Sequence, residues 1–88
     1  MARYRVELTP AALRDLKKLD QQIQKRLSSA IDRLAENPRL RGAKALQGDS
    51  SILRFRSGTY RILYQIDDRK LLILIIRLGH RKDVYRAR

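Results

Sequence analysis

Three arginines stand close together in the stretch from Ile52 to Tyr85, and their spacing bears on anion chemistry. Leu53, Phe55, Tyr60, Ile62, Tyr64 and Ile66 alternate with other residues, the period-two pattern of a half-buried strand. Ser57-Gly58 suits a two-residue hairpin turn, because glycine tolerates the positive φ such turns need. With that turn, Arg56 pairs with Thr59, Phe55 with Tyr60 and Arg54 with Arg61. Arg54 and Arg61 then face each other across neighbouring strands, with Arg56 nearby. Like charges directly opposite cost a few tenths to about 1 kcal/mol, and a bound anion relieves that cost. Two readings fit: an anion site, or arginines on the solvated sheet face of an arginine-rich chain.

The elements that must position these arginines follow from the rest of the pattern. Arg3 to Leu8 alternates as a strand with Tyr4, Val6 and Leu8 inward. Thr9 is a suitable N-cap and Pro10 suits the first helical position. Leu13, Leu16 and Leu19 give this helix an apolar edge, with Arg14, Lys17 and Lys18 outward. Asp20 caps a second helix, in which Ile23, Leu27, Ala30, Ile31 and Leu34 keep the 3.6-residue period. Asn37-Pro38 ends it. Arg39 to Asp49 reads as a basic loop tethered by Leu40 and Leu46. Its Arg39, Arg41 and Lys44 form either a rim that contacts an RNA backbone or a solvated loop surface. Asp67-Asp68-Arg69 makes a second turn, and Leu71 to Ile76 is an unbroken apolar run.

These elements define an α+β fold of order β-α-α-β-β-β. A helical hairpin packs on one face of a four-stranded, mostly antiparallel sheet, the first strand running parallel to the last. Residues 1–88 form a single domain. The helices cover the face carrying Tyr60, Ile62, Tyr64 and Ile73, where Tyr60 and Tyr64 serve packing. The other face, with Leu72, Leu74 and Ile76, has no cover from the chain and points to a partner protein or a shallow floor.

Composition narrows the function. The 88 residues carry a net charge of +12, a field that attracts polyanions, nucleic acid first among them. An acidic protein partner is the compatible alternative. There is no cysteine, so disulfides and thiolate metal sites are excluded. No apolar run is long enough to span a bilayer or to resemble a signal peptide, and the expectation is a soluble, cytoplasmic protein without membrane attachment.

The combination of Arg56-Ser57-Gly58-Thr59-Tyr60-Arg61 with Leu78-Gly79-His80-Arg81-Lys82-Asp83-Val84-Tyr85, after a helical hairpin and Leu46-Gln47-Gly48, resembles the RelE/ParE superfamily of toxin–antitoxin toxins. The resemblance covers nearly the whole chain. It implies a RelE-type mRNA interferase, an endoribonuclease that enters the ribosomal A site and cuts mRNA there without metal or other cofactor. The partners it implies are the ribosome, mRNA and a cognate acidic antitoxin of RelB-like or similar type. The family's catalytic positions fall on Arg61, Arg81 and Tyr85, and a basic RNA-binding position on Arg54. Arg56, Arg39, Arg41, Lys44 and Lys82 complete the expected RNA-binding set.

The chain departs from this pattern at one place. Ribosome-dependent relatives often carry two lysines on the second strand, where this sequence has Ile52 and Arg54. Isoleucine takes no proton and arginine gives none up near neutral pH. Tyr85 is then the substitute base, its phenolate favoured by nearby Arg81. His80 is either a base or a hydrogen-bonded structural histidine at the strand end. A ParE-like inhibitor of DNA gyrase that cuts no RNA is the competing function, and a DNA-binding co-repressor is a third.

Overall fold

The structure, a computed structural model, describes residues 3–80. Seven elements follow in order: β1 (Arg5–Leu8), α1 (Pro10–Lys17), α2 (Gln21–Glu36), β2 (Lys44–Leu46), β3 (Asp49–Ser57), β4 (Tyr60–Asp67) and β5 (Leu72–His80). The sheet has five strands in the order β1-β5-β4-β3-β2. β1 runs parallel to β5 and the other pairs are antiparallel. The expected four strands are all present. The fifth, β2, comes from within the stretch read as a basic loop. Among the described residues no helix is long and apolar enough to cross a membrane.

Both helices start as their caps dictate. The Thr9 side chain accepts from the Ala12 N–H, and the Asp20 side chain accepts from the Ile23 N–H. One face of α2 supplies Leu27, Ala30, Ile31 and Leu34 to the core, against Phe55, Ile62, Tyr64, Ile73, Ile75 and Leu78 of the sheet. The apolar edge of α1 differs from the one read in the sequence. Ala12 is fully buried while Leu13 is 44% exposed. Leu16 and Leu19 do pack against the core. The helix turns its small residue toward β5, where a leucine would hold it away.

Two details of strand pairing set the site. The hairpin between β3 and β4 turns on Gly58-Thr59, so Ser57 pairs with Tyr60, Arg56 with Arg61, Phe55 with Ile62 and Arg54 with Leu63. The register expected from a Ser57-Gly58 turn is displaced by two residues. Gly58 has φ of 64° and stands first of the two central residues, the place where a type II′ turn needs glycine. A two-residue displacement preserves which side chains share a face, so Leu53, Phe55, Tyr60, Ile62 and Tyr64 still point toward the helices.

The second detail is a bulge in β5. Tyr64 pairs with Ile75 and Leu63 with Arg77, leaving Ile76 as the extra residue. The Thr9 hydroxyl donates to the Ile76 carbonyl at 2.8 Å, tying the start of α1 to the bulge. Beyond the bulge the alternation changes phase, and Leu78 joins Ile73 and Ile75 in the core. The chain also supplies part of the cover for the far side of the sheet. Leu46 of β2 and Leu63 are buried there with Ile52 packed against them, while Leu72, Leu74 and Ile76 remain half-buried.

Candidate nucleic-acid interface

The displaced register arranges the cations differently from the sequence expectation. Arg56, not Arg54, lies directly opposite Arg61, and Arg54 lies between Lys44 on β2 and Leu63 on β4. Directly paired residues share a face of a sheet, as do residues two apart on one strand. Lys44, Arg54, Arg56 and Arg61 therefore rise from one face, the one turned away from the helices. Two like-charged cross-strand pairs sit side by side, each costing up to about 1 kcal/mol without a counter-ion.

Arg61 differs from its neighbours. It is the buried charged residue among those described, 8% exposed, on a strand hydrogen-bonded on both sides. A guanidinium so placed must be held by hydrogen bonds. Its partner on β5 is Gly79, whose φ of 146° favours glycine, so no β5 side chain stands beside it there. Arg54 is half-buried, and Arg56 and Lys44 are exposed.

Where β2 stops at Lys44, the chain leaves the sheet through Ala43, Gly42 and Arg41. A groove of about 310 Å³ opens there, lined by Arg41, Gly42, Lys44, Arg54, Phe55 and Arg56. Four of its six lining residues are cations and none is acidic. Such a hollow suits phosphate or another oxyanion, which guanidinium groups bind through paired, directional N–H donors.

Arg39 lies elsewhere. Its guanidinium donates to both carboxylate oxygens of Asp68, at 3.2 and 2.8 Å, and the Tyr4 hydroxyl donates to the same carboxylate at 2.6 Å. The hydrogen bonds from Arg39, then Tyr4, hold the Asp68 carboxyl down at about 2. Asp68 follows the far end of β4, roughly 20 Å along the strand from Arg61. The structure thus brings Arg41, Lys44, Arg54 and Arg56 together and leaves Arg39 with Asp68. Arg81, Lys82 and Tyr85 lie outside the described residues.

Other candidates have packing partners. Ile52, where the resemblance leads one to look for a lysine, packs with Leu46 and Leu63. Tyr64 is fully buried and donates its hydroxyl to the Pro38 carbonyl at 2.6 Å; burial pushes its phenol up to about 12. Tyr60 meets His80 edge-on, ring centroids 5.8 Å apart.

The segment that precedes position 81 is firmly anchored. Asp15 of α1 accepts from Arg77 Nε at 2.7 Å, from Arg77 Nη2 at 2.9 Å and from the Leu78 N–H at 3.2 Å. Burial pushes the Asp15 carboxyl up, but the bonds from Arg77 and Leu78 outweigh it and hold the group below its ordinary value. β1 ends at Leu8, opposite Ile75, so the Asp15 carboxylate satisfies an N–H that has no strand partner there.

Sequence reasoning missed two further cations near the groove. A Cβ built on Gly58 would stand 3.3 Å from Arg26 Nη1, and Arg33 Cζ lies 6.0 Å from the centroid of the Phe55 ring. The helical period places both residues off the core face; it does not say which strand they approach.

Two helices laid on one face of a mixed five-stranded sheet, with cations gathered on the other face, define a small basic α+β domain. The model of the family described as "ParE toxin of type II toxin-antitoxin system, parDE" matches residues 6–85. Toxin RelG of Mycobacterium tuberculosis is 40% identical over 85 residues, covering 94% of this chain and 97% of RelG. The mRNA interferase toxin RelE of Escherichia coli K12 is 30% identical over 86 residues, covering 93% of this chain and 90% of RelE. In the toxin–antitoxin complex RelBE2 from M. tuberculosis, one chain superposes with a TM-score of 0.83 at 37% identity, covering 92% of this chain and 94% of that one. The chain belongs to the RelE/ParE toxin family and is a RelE-type toxin of a toxin–antitoxin system.

Proposed function

We propose that this toxin is a ribosome-dependent endoribonuclease that cuts mRNA in the A site and is held inactive by an antitoxin. The observation that carries this reading is the convergence of Lys44, Arg54 and Arg56 beside Arg61, a buried guanidinium on a central strand. In the reaction, the ribose 2′-oxygen forms a bond to the adjacent phosphorus and the bond from phosphorus to the 5′-oxygen breaks. A 2′,3′-cyclic phosphate results, and the departing 5′-oxygen takes up a proton from solvent to become a 5′-hydroxyl. Negative charge builds on the non-bridging oxygens, and a rigidly held guanidinium stabilises it without rearranging. Arg61 and Arg81 take this role, and Tyr85 receives the 2′-hydroxyl proton or stacks on a base. Arg54, Arg56, Arg41, Lys44 and Lys82 hold the backbone. With Ile52 packed among aliphatic side chains, no lysine serves as base at that position, and the ribosome contributes by orienting the mRNA.

Further support comes from names: relatives matching along nearly their full lengths are called Toxin RelG and mRNA interferase toxin RelE. Solved relatives complexed with RelB-type antitoxins support the antitoxin partner. The test is single-turnover cleavage of mRNA on a programmed ribosome. Arg61→Ala should lower the rate by about 10²–10³, and Arg61→Lys should recover only part, because lysine lacks the forked donor geometry. Tyr85→Phe should match the Arg61→Ala loss if the hydroxyl takes the proton, and should be nearly neutral if the ring only stacks. Full activity in a folded Arg61→Ala protein would refute the catalytic role of Arg61, and absence of cleavage by the native toxin would favour a gyrase-type binder.

A further inference from the structure

The helix α2 runs alongside β3 in a way that lines up two rows of cations. Arg26 reaches Gly58 at the hairpin tip and Arg33 stands over Phe55. Seven residues of helix separate the two arginines, about 10.5 Å at 1.5 Å per residue. Gly58, just past the end of β3, is three positions along the chain from Phe55, about 10 Å. The spacings agree, so Arg26 and Arg33 follow the strand on its helix side while Arg54 and Arg56 follow it on the far side. Between the rows lies the outer edge of β3, which has no β2 partner beyond Arg54. Arg26 and Arg33 are both exposed. Among the described residues none of these four arginines has a carboxylate partner.

We propose that Arg26 and Arg33 extend the RNA-binding surface around the open edge of β3. One stretch of an RNA strand lies on Arg54 and Arg56, and the next crosses the edge onto α2. This rests on the RNA reading of the groove and adds the path the strand takes out of it. At about 3.4 Å per stacked nucleotide, the helix row accommodates roughly three nucleotides. The chemistry favours nucleic acid over an acidic protein here. Phe55 is only 6% exposed, so the track offers charge with little apolar area. Protein interfaces have an apolar, aromatic core, whereas a phosphate backbone asks chiefly for cations.

The experiment measures binding of the purified toxin to single-stranded RNA across a salt series, using a tetranucleotide and a dodecanucleotide. Arg26→Ala/Arg33→Ala should lower the slope of log K against log salt by about 1.4 for the dodecamer, from ~0.7 per lost contact. It should leave the tetramer unchanged, and Arg26→Lys/Arg33→Lys should restore the slope. An unchanged dodecamer slope overturns the proposal, as does an equal fall for both lengths, which would mark a general field effect. Loss of a coexpressed acidic partner with unchanged RNA slopes would assign the surface to protein and overturn it as well. Arg54→Ala/Arg56→Ala is the separate control. If that variant binds both RNAs normally, the groove reading itself fails, whatever α2 does. Thermal melts confirm that each variant is folded.

Discussion

Replacing Asp15 with asparagine tests how the end of β5 is held. The carboxylate is 13% exposed and its partner Arg77 21%. It accepts three hydrogen bonds from Arg77 and Leu78. Asparagine keeps one acceptor oxygen and loses the charge and the second oxygen. Hydrogen bonds to charged groups contribute about 1.5–3 kcal/mol each, and breaking a buried pair costs about 3–5 kcal/mol. Residual solvent access lowers the expectation to about 2–3 kcal/mol. For a domain of this size that is a fall in Tm of roughly 10–20 °C. Thermal unfolding followed by circular dichroism at pH 7 measures it. The pH dependence carries the sign. Asp15 is held below its ordinary value, so its contribution is complete above about pH 4 and is lost as pH falls through the lowered folded value. The gap between the native protein and Asp15→Asn should therefore narrow in acid. A gap under about 4 °C at pH 7, or one that stays constant down to pH 2, would refute the reasoning.

Two further stability outcomes follow from particular side chains. Tyr64→Phe removes the hydroxyl that satisfies the Pro38 carbonyl and should cost about 1–3 kcal/mol at neutral pH. The Tyr64 phenol, pushed up to about 12 in the fold, stabilises fully below the ordinary tyrosine value of about 10 and loses that contribution as pH rises through 12. The native and Tyr64→Phe melting curves should thus converge in alkali; a parallel offset from pH 8 to 12 would contradict this. Leu71 adopts φ of 49° and is 40% exposed, so Leu71→Asn should relieve part of a 1–2 kcal/mol left-handed penalty and raise Tm by a few degrees. A lowered Tm would show that packing of Leu71 outweighs its backbone strain.

The apolar periods and caps were enough to place both helices and the hairpin, because each is written locally. The parallel pairing of β1 with the distant β5 followed instead from the helical crossover that separates β1 from the antiparallel strands. Thr9-Pro10 and Asp20 start the helices, Asn37-Pro38 ends the second, and a helical crossover between strands imposes its own handedness. The arginine cluster was also legible, since alternation alone sends Arg54, Arg56 and Arg61 away from the core. Its pairing was not. Gly58 can serve either place of a two-residue turn, and the two registers put the same side chains on the same face. Only assembly of β4 between β3 and β5 decides that Arg56, rather than Arg54, meets Arg61. The three residues of β2 carry too little pattern to announce a strand; pairing with Leu53 and Arg54 makes them one. The same dependence on neighbours governs the exposed face of α2. Helical spacing turns Arg26 and Arg33 outward, but that they stand over Gly58 and Phe55 comes from where the core packs α2 against β3.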